Sequence, residues 1–422
     1  MRLLPAVLVI ALPVVASADG FFTLKGHGGP IMGIAVAPDG QIATASFDNS
    51  VGLWTGAQPH WLEGHAAAVN AVVFGDDYLF SAGDDFTIRR WPDGQTIGRH
   101  TGKVTALALL PGLAASASWD GTIGLWPHDG GQGRFLRGHR AGVNDIAATA
   151  DGKRLYSASS DGTLRLWDVE TGAELQQILS HGFGINELSL NETAGWLAYG
   201  AVDGVTRIVH PETGAQIADF TLDRRPILAL AQNADGTLLA VGDGEGYIMI
   251  IDTVNMEIAR DFRATLTGPV WALAFSPDGS NIHAGGLDDA MYSWPLASLD
   301  AHGQMEAQDR GVPKNPDDME NGERLFVRRC SICHTLTPDS ARRAGPTLYG
   351  IFGRPAGTLG GYAYSEILDG SDIVWNETTI NRLFDIGPDH FIPGSKMPMQ
   401  QITDPRDRTD LVDFLRRATA RD

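Results

Sequence analysis

Residues 157–168 read Ser157-Ala-Ser-Ser-Asp161-Gly-Thr-Leu-Arg-Leu-Trp167-Asp168. Asp161 stands six positions before Trp167, and this Asp-x5-Trp pattern recurs along the first three-quarters of the chain. The other copies are Asp48…Trp54, Asp85…Trp91, Asp120…Trp126 and Asp288…Trp294, with degenerate copies at Asp203…Val209 and Glu245…Ile251. The seven Trp-equivalent positions lie 35 to 43 residues apart. Four short strands need about 40 residues, so the spacing predicts seven copies of one four-stranded unit.

Histidines and turn signals repeat with the same period. A histidine precedes five of the acidic residues by 20 to 22 positions; these are His27, His65, His100, His139 and His181. Between histidine and aspartate lie strand-turn-strand patterns, with Pro-Asp-Gly turns at residues 38–40 and 277–279. The 51 glycines also suit an all-β repeat protein with many tight turns.

These motifs resemble WD40 repeats, which implies an all-β, seven-bladed propeller over residues 19–300. The resemblance implies that the Asp between the second and third strands accepts a hydrogen bond from the His, while the Trp and a Ser complete a buried polar network. The histidines are then structural. Metal ligation by several of them conflicts with their spacing of one per blade. Phe21 to Leu24 is the expected outer strand that closes the ring.

Three blades depart from the pattern. The fifth and sixth lack the Trp, and the sixth and seventh lack the His. We expect apolar packing to hold these blades together. Either sequence drift or specialisation of the propeller accounts for the departures.

The N-terminus has the features of a secretory signal peptide over residues 1–18. Arg2 precedes an apolar run from Leu3 to Val15, and Ala16-Ser17-Ala18 forms an A-x-A cleavage site. The alternative is an uncleaved membrane anchor, but the run is short for a bilayer. We therefore expect a periplasmic protein without membrane insertion.

The charge distribution narrows the class of partner. The formal net charge is −19, with 19 Lys and Arg against 37 Asp and Glu before Met319 and 13 against 14 from there on. An acidic N-terminal part argues against nucleic acid as a partner.

A polar segment with two prolines, residues 301–318, reads as a linker to residues 319–422. Just beyond it stand the only two cysteines, in Cys330-Ser-Ile-Cys333-His334. C-x-x-C-H is the attachment signal for c-type haem: the two thiols bind as thioethers, and His334 ligates the iron from the proximal side. The competing interpretations are a redox dithiol and half of a zinc site, but no second Cys pair exists for zinc.

Residues 319–419 resemble class I cytochrome c of the mitochondrial and bacterial c2 type, an all-α domain. Gly322 and Phe326 match its N-terminal helix, and Leu411 and Phe414 match the C-terminal helix that crosses it. The resemblance implies that the Pro346 carbonyl accepts the Nδ1 proton of His334. It also places a further set of residues around the haem propionates: Gly353, Arg354, Tyr362, Tyr364 and Trp375.

The segment Phe391-Ile-Pro393-Gly394-Ser-Lys396-Met397 resembles the loop that carries the distal methionine ligand. Met397 is the predicted sixth ligand, and Met399 is its rival. His/Met ligation raises the reduction potential and leaves no open position on iron. Two departures stand out: Phe384 replaces a tyrosine near the methionine sulfur, and Lys396 is the only lysine after the linker, which puts the family's docking to acidic partners in doubt.

The sequence thus predicts a mono-haem electron carrier, with one covalent haem c, whose propeller docks a redox protein. The alternative is a haem enzyme with a second cofactor or active site in the propeller, as in the architecture of cytochrome cd1 nitrite reductases. We identify no catalytic residue. A third interpretation, a vestigial haem site, conflicts with the joint presence of Cys330, Cys333, His334 and Met397.

Overall fold

The computed structural model describes residues 20–265, 268–301, 319–338, 343–362, 364–368, 370–393, 395, 397 and 400–420. The predicted signal peptide, residues 1–18, and all of the predicted linker except Ala301 lie outside the described residues. So do Gly394, Lys396 and Met399.

The stretch 157–168 forms most of a β-hairpin. Strand β15 (Arg154–Ser159) is followed by strand β16 (Thr163–Asp168), and Leu155 pairs with Trp167. Gly162 has a φ of +79°, a left-handed conformation that favours glycine. Asp161 Oδ1 accepts hydrogen bonds from the Thr163 backbone N–H at 3.0 Å and from its hydroxyl at 2.6 Å. The Asp-Gly-Thr sequence therefore makes the turn.

This hairpin is repeated in seven four-stranded antiparallel sheets, the blades. Blade 1 has β2 (Ile31–Val36), β3 (Ile42–Ser46), β4 (Ser50–Thr55) and β5 (Gln58–Glu63); blade 2 has β6 (Val69–Phe74), β7 (Leu79–Gly83), β8 (Thr87–Trp91) and β9 (Gln95–Arg99). Blade 3 has β10 (Val104–Leu110), β11 (Leu113–Ser118), β12 (Thr122–Pro127) and β13 (Arg134–Arg137); blade 4 has β14 (Val143–Ala148), β15 (Arg154–Ser159), β16 (Thr163–Asp168) and β17 (Glu174–Ser180). Blade 5 has β18 (Ile185–Asn191), β19 (Trp196–Ala201), β20 (Thr206–Val209) and β21 (Gln216–Asp219); blade 6 has β22 (Ile227–Gln232), β23 (Leu238–Asp243), β24 (Tyr247–Asp252) and β25 (Glu257–Arg263). Blade 7 has β26 (Val270–Phe275), β27 (Asn281–Gly286), β28 (Ala290–Pro295) and, from the other end of the propeller, β1 (Phe22–Lys25).

Strand β1 closes the ring. Phe22 pairs with Ser293 and Lys25 with Ala290, so the N-terminal strand is the outermost strand of blade 7. The innermost strands of blades 7 and 1 also contact each other. The prediction that Phe21–Leu24 closes the propeller is confirmed with a shift of one residue. A 3-10 segment, Leu296–Ala301, follows the last blade.

Blades 1 to 4 contain the expected polar network. In blade 3, Trp126 Nε1 donates to Ser116 Oγ at 2.7 Å, and Ser116 Oγ lies 2.8 Å from His100 Nε2. His100 Nδ1 lies 3.0 Å from Asp120 Oδ2. Burial lowers the pKa of His100 and so favours the neutral ring. Burial by itself would raise the pKa of Asp120. Hydrogen bonds from Thr122, Thr101 and His100 stabilise the carboxylate more strongly, and the pKa of Asp120 is lowered to about 2.

Blades 5 to 7 use other contacts. In blade 5, His181 still reaches Asp203, through Nε2 at 3.0 Å. In blade 6 the turn acid is Asp243, not the Glu245 that the repeat predicts. Asp243 Oδ1 accepts the backbone N–H groups of Glu245 and Tyr247, each at 2.9 Å. Apolar clusters fill the cores of these blades, as expected.

Residues 319–420 contribute four α-helices among the described residues, namely α1 (Asn321–Arg329), α2 (Glu377–Ile386), α3 (Pro388–Phe391) and α4 (Pro405–Ala418), with a 3-10 turn at Glu366–Leu368. Pro405 stands in the first turn of α4, and Asp404 caps it by accepting the Arg406 N–H. No helix within the described ranges is long and apolar enough to cross a bilayer.

Helices α1 and α4 cross closely at Gly322. A Cβ atom at this position would overlap the Asp410 carbonyl oxygen and lie 2.8 Å from Phe414 Cβ. The rings of Phe326 and Phe414 pack 5.7 Å apart, and Leu411 is fully buried. The predicted crossing of the N- and C-terminal helices is therefore confirmed, because only glycine allows this approach.

Candidate functional site

The Cys-x-x-Cys-His motif forms a tight turn at the end of α1. The Cys330 N–H donates to the Phe326 carbonyl at 2.8 Å, so Cys330 caps the last turn of the helix. The N–H groups of Cys333 and His334 both donate to the Cys330 carbonyl, at 3.1 and 2.9 Å. These bonds fold the five motif residues onto one turn, which brings the two thiols and the imidazole together.

The two cysteines are not linked by a disulfide. Burial raises the pKa of the Cys330 thiol to about 12 and that of Cys333 to about 11. A redox dithiol needs a thiolate stabilised by its surroundings, and this environment disfavours one. Among the described residues, no group of three or more His, Cys, Asp or Glu is arranged to hold a metal ion. Neither alternative to haem attachment therefore gains support.

A second loop holds the His334 ring. The Nδ1 atom lies 2.7 Å from the Pro346 carbonyl oxygen, which is the hydrogen bond that the sequence resemblance implies. A carbonyl only accepts, so Nδ1 carries the proton and Nε2 keeps its lone pair. Burial lowers the pKa of His334, which also favours the neutral ring. The imidazole is thus prepared as a metal ligand through Nε2.

Gly345 makes this hydrogen bond possible. A Cβ atom there would lie 2.7 Å from His334 Nδ1 and would also overlap Cε1. The Gly345 N–H donates to the Cys333 carbonyl at 2.8 Å, so the loop lies directly against the motif. In the sequence, Gly345 is recognisable only as part of the loop 344–348 that resembles the family. Its place directly before the proline was the available signal.

The predicted propionate residues brace the same loop. Arg354 donates to the carbonyls of Thr347 at 2.8 Å and Tyr349 at 3.2 Å, and the Tyr362 hydroxyl donates to the Ala344 carbonyl at 2.5 Å. Backbone hydrogen bonds join Trp375 to Gly353 and Arg354, at 2.7 and 3.0 Å. The ring of Tyr364 packs edge-on against Tyr362 at 4.8 Å. Arg354 and Tyr362 therefore hold the loop that follows His334, and Gly353, Tyr364 and Trp375 contact these two residues or each other. Their place around the haem propionates stays a prediction.

Met397 lies on the same apolar cluster as the motif. This cluster includes Cys330, Leu325 and Phe384, and the partly buried Met397 packs against it. Phe384 is 5% exposed, so its ring fills the core where the family has a tyrosine. An apolar wall beside neutral thiols and a neutral imidazole suits a large flat macrocycle, so the residues present fit a haem.

Arg408 was not singled out by the sequence analysis. It donates to the carbonyls of Ile402 at 2.6 Å and Thr403 at 3.1 Å, and it pairs with Asp385 at 3.0 Å. It therefore fastens the segment after Met397 to α2 and α4. The signal in the sequence was an arginine three residues before Leu411, on the apolar face of an amphipathic helix.

A cavity of about 840 Å³ borders Thr347, Phe352 and Arg354. Its lining includes neither cysteine of the motif, nor His334, nor Met397. The chemistry of the motif, rather than this cavity, therefore locates the candidate site.

Two family models match the chain. Residues 21–55, 56–92, 94–127, 130–168 and 260–294 match the model described as WD domain, G-beta repeat. The longest gap in these matches, residues 169–259, contains blade 5 and most of blade 6, the two blades whose Trp-equivalent position is not Trp. Residues 319–419 match the model described as Cytochrome c.

Known proteins that resemble this chain match either the propeller or the cytochrome c domain. The chain is 37% identical over 105 residues to cytochrome c of Sesamum indicum, a match that covers 25% of this chain and 94% of the relative. It is 38% identical over 102 residues to cytochrome c of Cochliobolus lunatus, covering 24% and 94%. The crystal structure of the WD40 propeller domain of Doa1 superposes with a TM-score of 0.60 at 21% identity, covering 66% of this chain and 97% of that one, and shows the fold alone. The chain thus belongs, through residues 319–419, to the cytochrome c family, and this cytochrome domain follows a seven-bladed propeller of WD40 repeats.

Proposed function

We propose that the protein is a periplasmic electron carrier with a single haem c, attached covalently to Cys330 and Cys333 and ligated by His334 and Met397. The observation that carries the proposal is the 2.7 Å hydrogen bond from His334 to the Pro346 carbonyl, because it orients a neutral imidazole beside two neutral thiols. Membership of the cytochrome c family implies haem c and electron transfer.

Each residue of the site has a distinct task. The thiols would hold the haem, and Nε2 of His334 and the sulfur of Met397 would be the axial ligands. The haem itself supplies one-electron redox chemistry. Pro346 keeps the proton on Nδ1 of His334, while Gly345, Arg354 and Tyr362 hold the loop that presents the Pro346 carbonyl. The buried cluster around Phe384 excludes water and so favours a closed, low-spin site.

The visible spectrum of the full-length protein, expressed in the periplasm, tests this proposal. We expect one haem per chain that resists solvent extraction, a low-spin spectrum in both redox states, and no response to carbon monoxide. The Cys330→Ala/Cys333→Ala variant should lose the covalent haem. Carbon monoxide binding by the unaltered protein, or a second chromophore, would favour the enzyme alternative with a site in the propeller.

Export is the second part of the proposal. It rests on residues 1–18, whose charged start, apolar run and A-x-A site are typical of a cleaved signal. The mass of the protein recovered from the periplasm tests it, since cleavage after Ala18 removes a defined fragment. Recovery of the uncut chain in the membrane fraction would contradict it.

The third part is that the propeller docks a redox protein. One end of the blades carries both the His loops and the Asp turns, and we name it the His–Asp face. Trp119, directly before Asp120, is 58% exposed, and Phe183, two residues after His181, is 59% exposed. Large exposed aromatic side chains are typical of binding surfaces.

Contacts link these two aromatic residues across blade 4. Gly142 lies against Trp119, and the Arg140 N–H donates to Asp161 Oδ2 at 2.9 Å. The Phe183 carbonyl in turn lies beside Gly162. The aromatic side chains therefore stand on one continuous stretch of the His–Asp face, which supports a docking surface there.

The double variant Trp119→Ala/Phe183→Ala tests the docking role. It should keep the haem spectrum but accept electrons more slowly from a reduced periplasmic extract. Val254→Ala is the matched control, because Val254 is 71% exposed in a turn at the opposite end of the blades. Equal rates for all three proteins would place docking elsewhere.

A further inference from the structure

Two acids stand out on the innermost strands of the propeller. These seven strands, β2, β6, β10, β14, β18, β22 and β26, contact their neighbours in a closed ring. Their sequences contain only two ionisable side chains, Asp145 in blade 4 and Glu187 in blade 5. Both acids are partly buried.

Both acids occupy the same repeat position. Each innermost strand has a shift in register after its first residue, and the third residue is where regular pairing resumes. In the other five blades this residue has a minimal side chain or none: Gly33, Ala71, Ala106, Ala229 and Ala272. A carboxylate in two adjacent blades is therefore a departure from the repeat, not a feature of it.

The acids cross the seams between blades. Asp145 Oδ2 accepts the Leu188 N–H of blade 5 at 2.8 Å, and its Oδ1 accepts the Ile146 N–H at 2.8 Å. The Leu230 backbone of blade 6 lies near Glu187 and favours its charged form. Asp145 therefore ties blade 4 to blade 5, the first of the two blades that lack the Trp.

The surroundings disfavour two negative charges. Burial raises the pKa of Asp145 to about 7. Burial and then the charge of Asp145 raise the pKa of Glu187 well above its ordinary value. Adjacent carboxyl groups in a site with little solvent do not both ionise readily.

The strands packed against β14 and β18 supply no compensating cation. Strands β10, β11 and β22 have no titratable side chain. Strand β15 contributes Arg154 and Tyr156, and β19 contributes Tyr199. Arg154 forms an ion pair with Glu212 at 3.1 Å. The main charged neighbour of Tyr156 is Arg154, and that of Tyr199 is Arg207, so neither tyrosine interacts mainly with the two acids.

We propose that Asp145 and Glu187 share a proton near neutral pH and form a pH-sensitive clasp across blades 4, 5 and 6. With the proton in place, Asp145 bridges to blade 5 while the pair carries at most one negative charge. When that proton leaves to solvent, two charges face each other and the seam weakens. This proposal is independent of the haem chemistry.

The direction of the effect follows from proton linkage. From about pH 4 up to the raised pKa values of the two acids, the folded pair binds more protons than the unfolded chain does. Stability from the pair is therefore complete at the acid end of this range and is lost as the pH rises through it. Each retained proton changes the unfolding constant by about tenfold per pH unit.

Urea unfolding of the full-length holoprotein at about pH 5 and about pH 8 tests the clasp. Tryptophan fluorescence reports mainly on the propeller, which holds nine of the ten tryptophans. Asp145→Asn and Glu187→Gln should gain stability relative to the parent as the pH rises. Asp77→Asn, at an exposed acid of blade 2, is the control and should show a constant offset.

Two further measurements keep the test decisive. The Asp145→Ala/Glu187→Ala variant restores the residue type of the other blades, so it fits sterically and should also lose the pH dependence of the pair. Infrared spectra at neutral pH should show the carbonyl band of a protonated carboxylic acid that this double variant lacks. A pH-independent offset in all variants, or no such band in the parent, would overturn the proposal.

Discussion

The Nδ1 atom of His334 lies 2.7 Å from the carbonyl oxygen of Pro346, and Gly345 leaves the space that this contact needs. Two consecutive residues, Gly345 and Pro346, thus control the orientation of one imidazole. Because the proton on Nδ1 determines which nitrogen can bind iron, this loop is as important to the site as the ligand itself.

Gly345→Ala should displace the His334 ring. The added Cβ meets the imidazole, and loss of a supporting hydrogen bond of this kind typically costs about 10- to 100-fold in metal affinity. We expect a lower midpoint for urea-induced loss of the low-spin spectrum. Gly360→Ala is the matched control, since a Cβ there has no neighbour within 4 Å. Identical behaviour of the two variants would argue against the role of the loop.

Met397→Ala should open the distal side of the haem. Iron without its sixth ligand binds carbon monoxide, and loss of the thioether lowers the reduction potential. Met399→Ala is the natural comparison and should leave the spectrum and the potential unchanged. If the two variants exchange these results, Met399 is the ligand.

Phe384→Tyr would restore the hydroxyl that the family carries near the methionine sulfur. Phe384 is 5% exposed, so a hydroxyl without a partner there costs about 1–3 kcal/mol of stability. If the hydroxyl reaches the sulfur of Met397, the reduction potential shifts and the stability loss is smaller. Voltammetry measures the reduction potential, and urea unfolding measures the loss of stability. An unchanged potential together with the full loss of about 1–3 kcal/mol would exclude a hydrogen bond from the hydroxyl to the sulfur of Met397.

Ser116→Ala should destabilise blade 3. The change removes the shared partner of Trp126 Nε1 and His100 Nε2, and a buried group left unpaired costs about 1–3 kcal/mol. Ser116→Thr should be close to neutral, because Thr44 makes both contacts at the equivalent position of blade 1. Fluorescence-detected unfolding measures the difference, and equal stability of the two variants would contradict the network.

Low pH should destabilise the propeller by protonating the aspartates of its turns, such as Asp120. The pKa of Asp120 is lowered to about 2, against about 4 in an unfolded chain. Its contribution is present above about pH 4 and is lost as the pH falls towards about 2. Asp120→Asn should therefore lower the stability at neutral pH and flatten the stability profile between about pH 4 and about pH 2, as measured by unfolding at several pH values.

Local sequence patterns were sufficient for much of this protein. The Asp-x5-Trp period predicted seven blades, and Phe21–Leu24 predicted the closing strand, because each signal lies within one strand or turn. The Cys330-x-x-Cys333-His334 motif and the small residue Gly322 are equally local. Each marks one turn or one helix face, and both expected contacts, from His334 to Pro346 and between α1 and α4, are present.

The tertiary structure decided what depends on distant residues. Asp243 rather than Glu245 stabilises the turn of blade 6, because only the folded turn determines which carboxylate reaches the free N–H groups. Arg408 holds the segment behind Met397 only because α2 and α4 pack together. Asp145 and Glu187 are 42 residues apart in the chain, and only the closed ring makes them neighbours. The sequence period determines the strands and turns within each repeat, because these depend on residues close in the chain. Contacts between repeats depend on how the closed ring packs distant residues against each other.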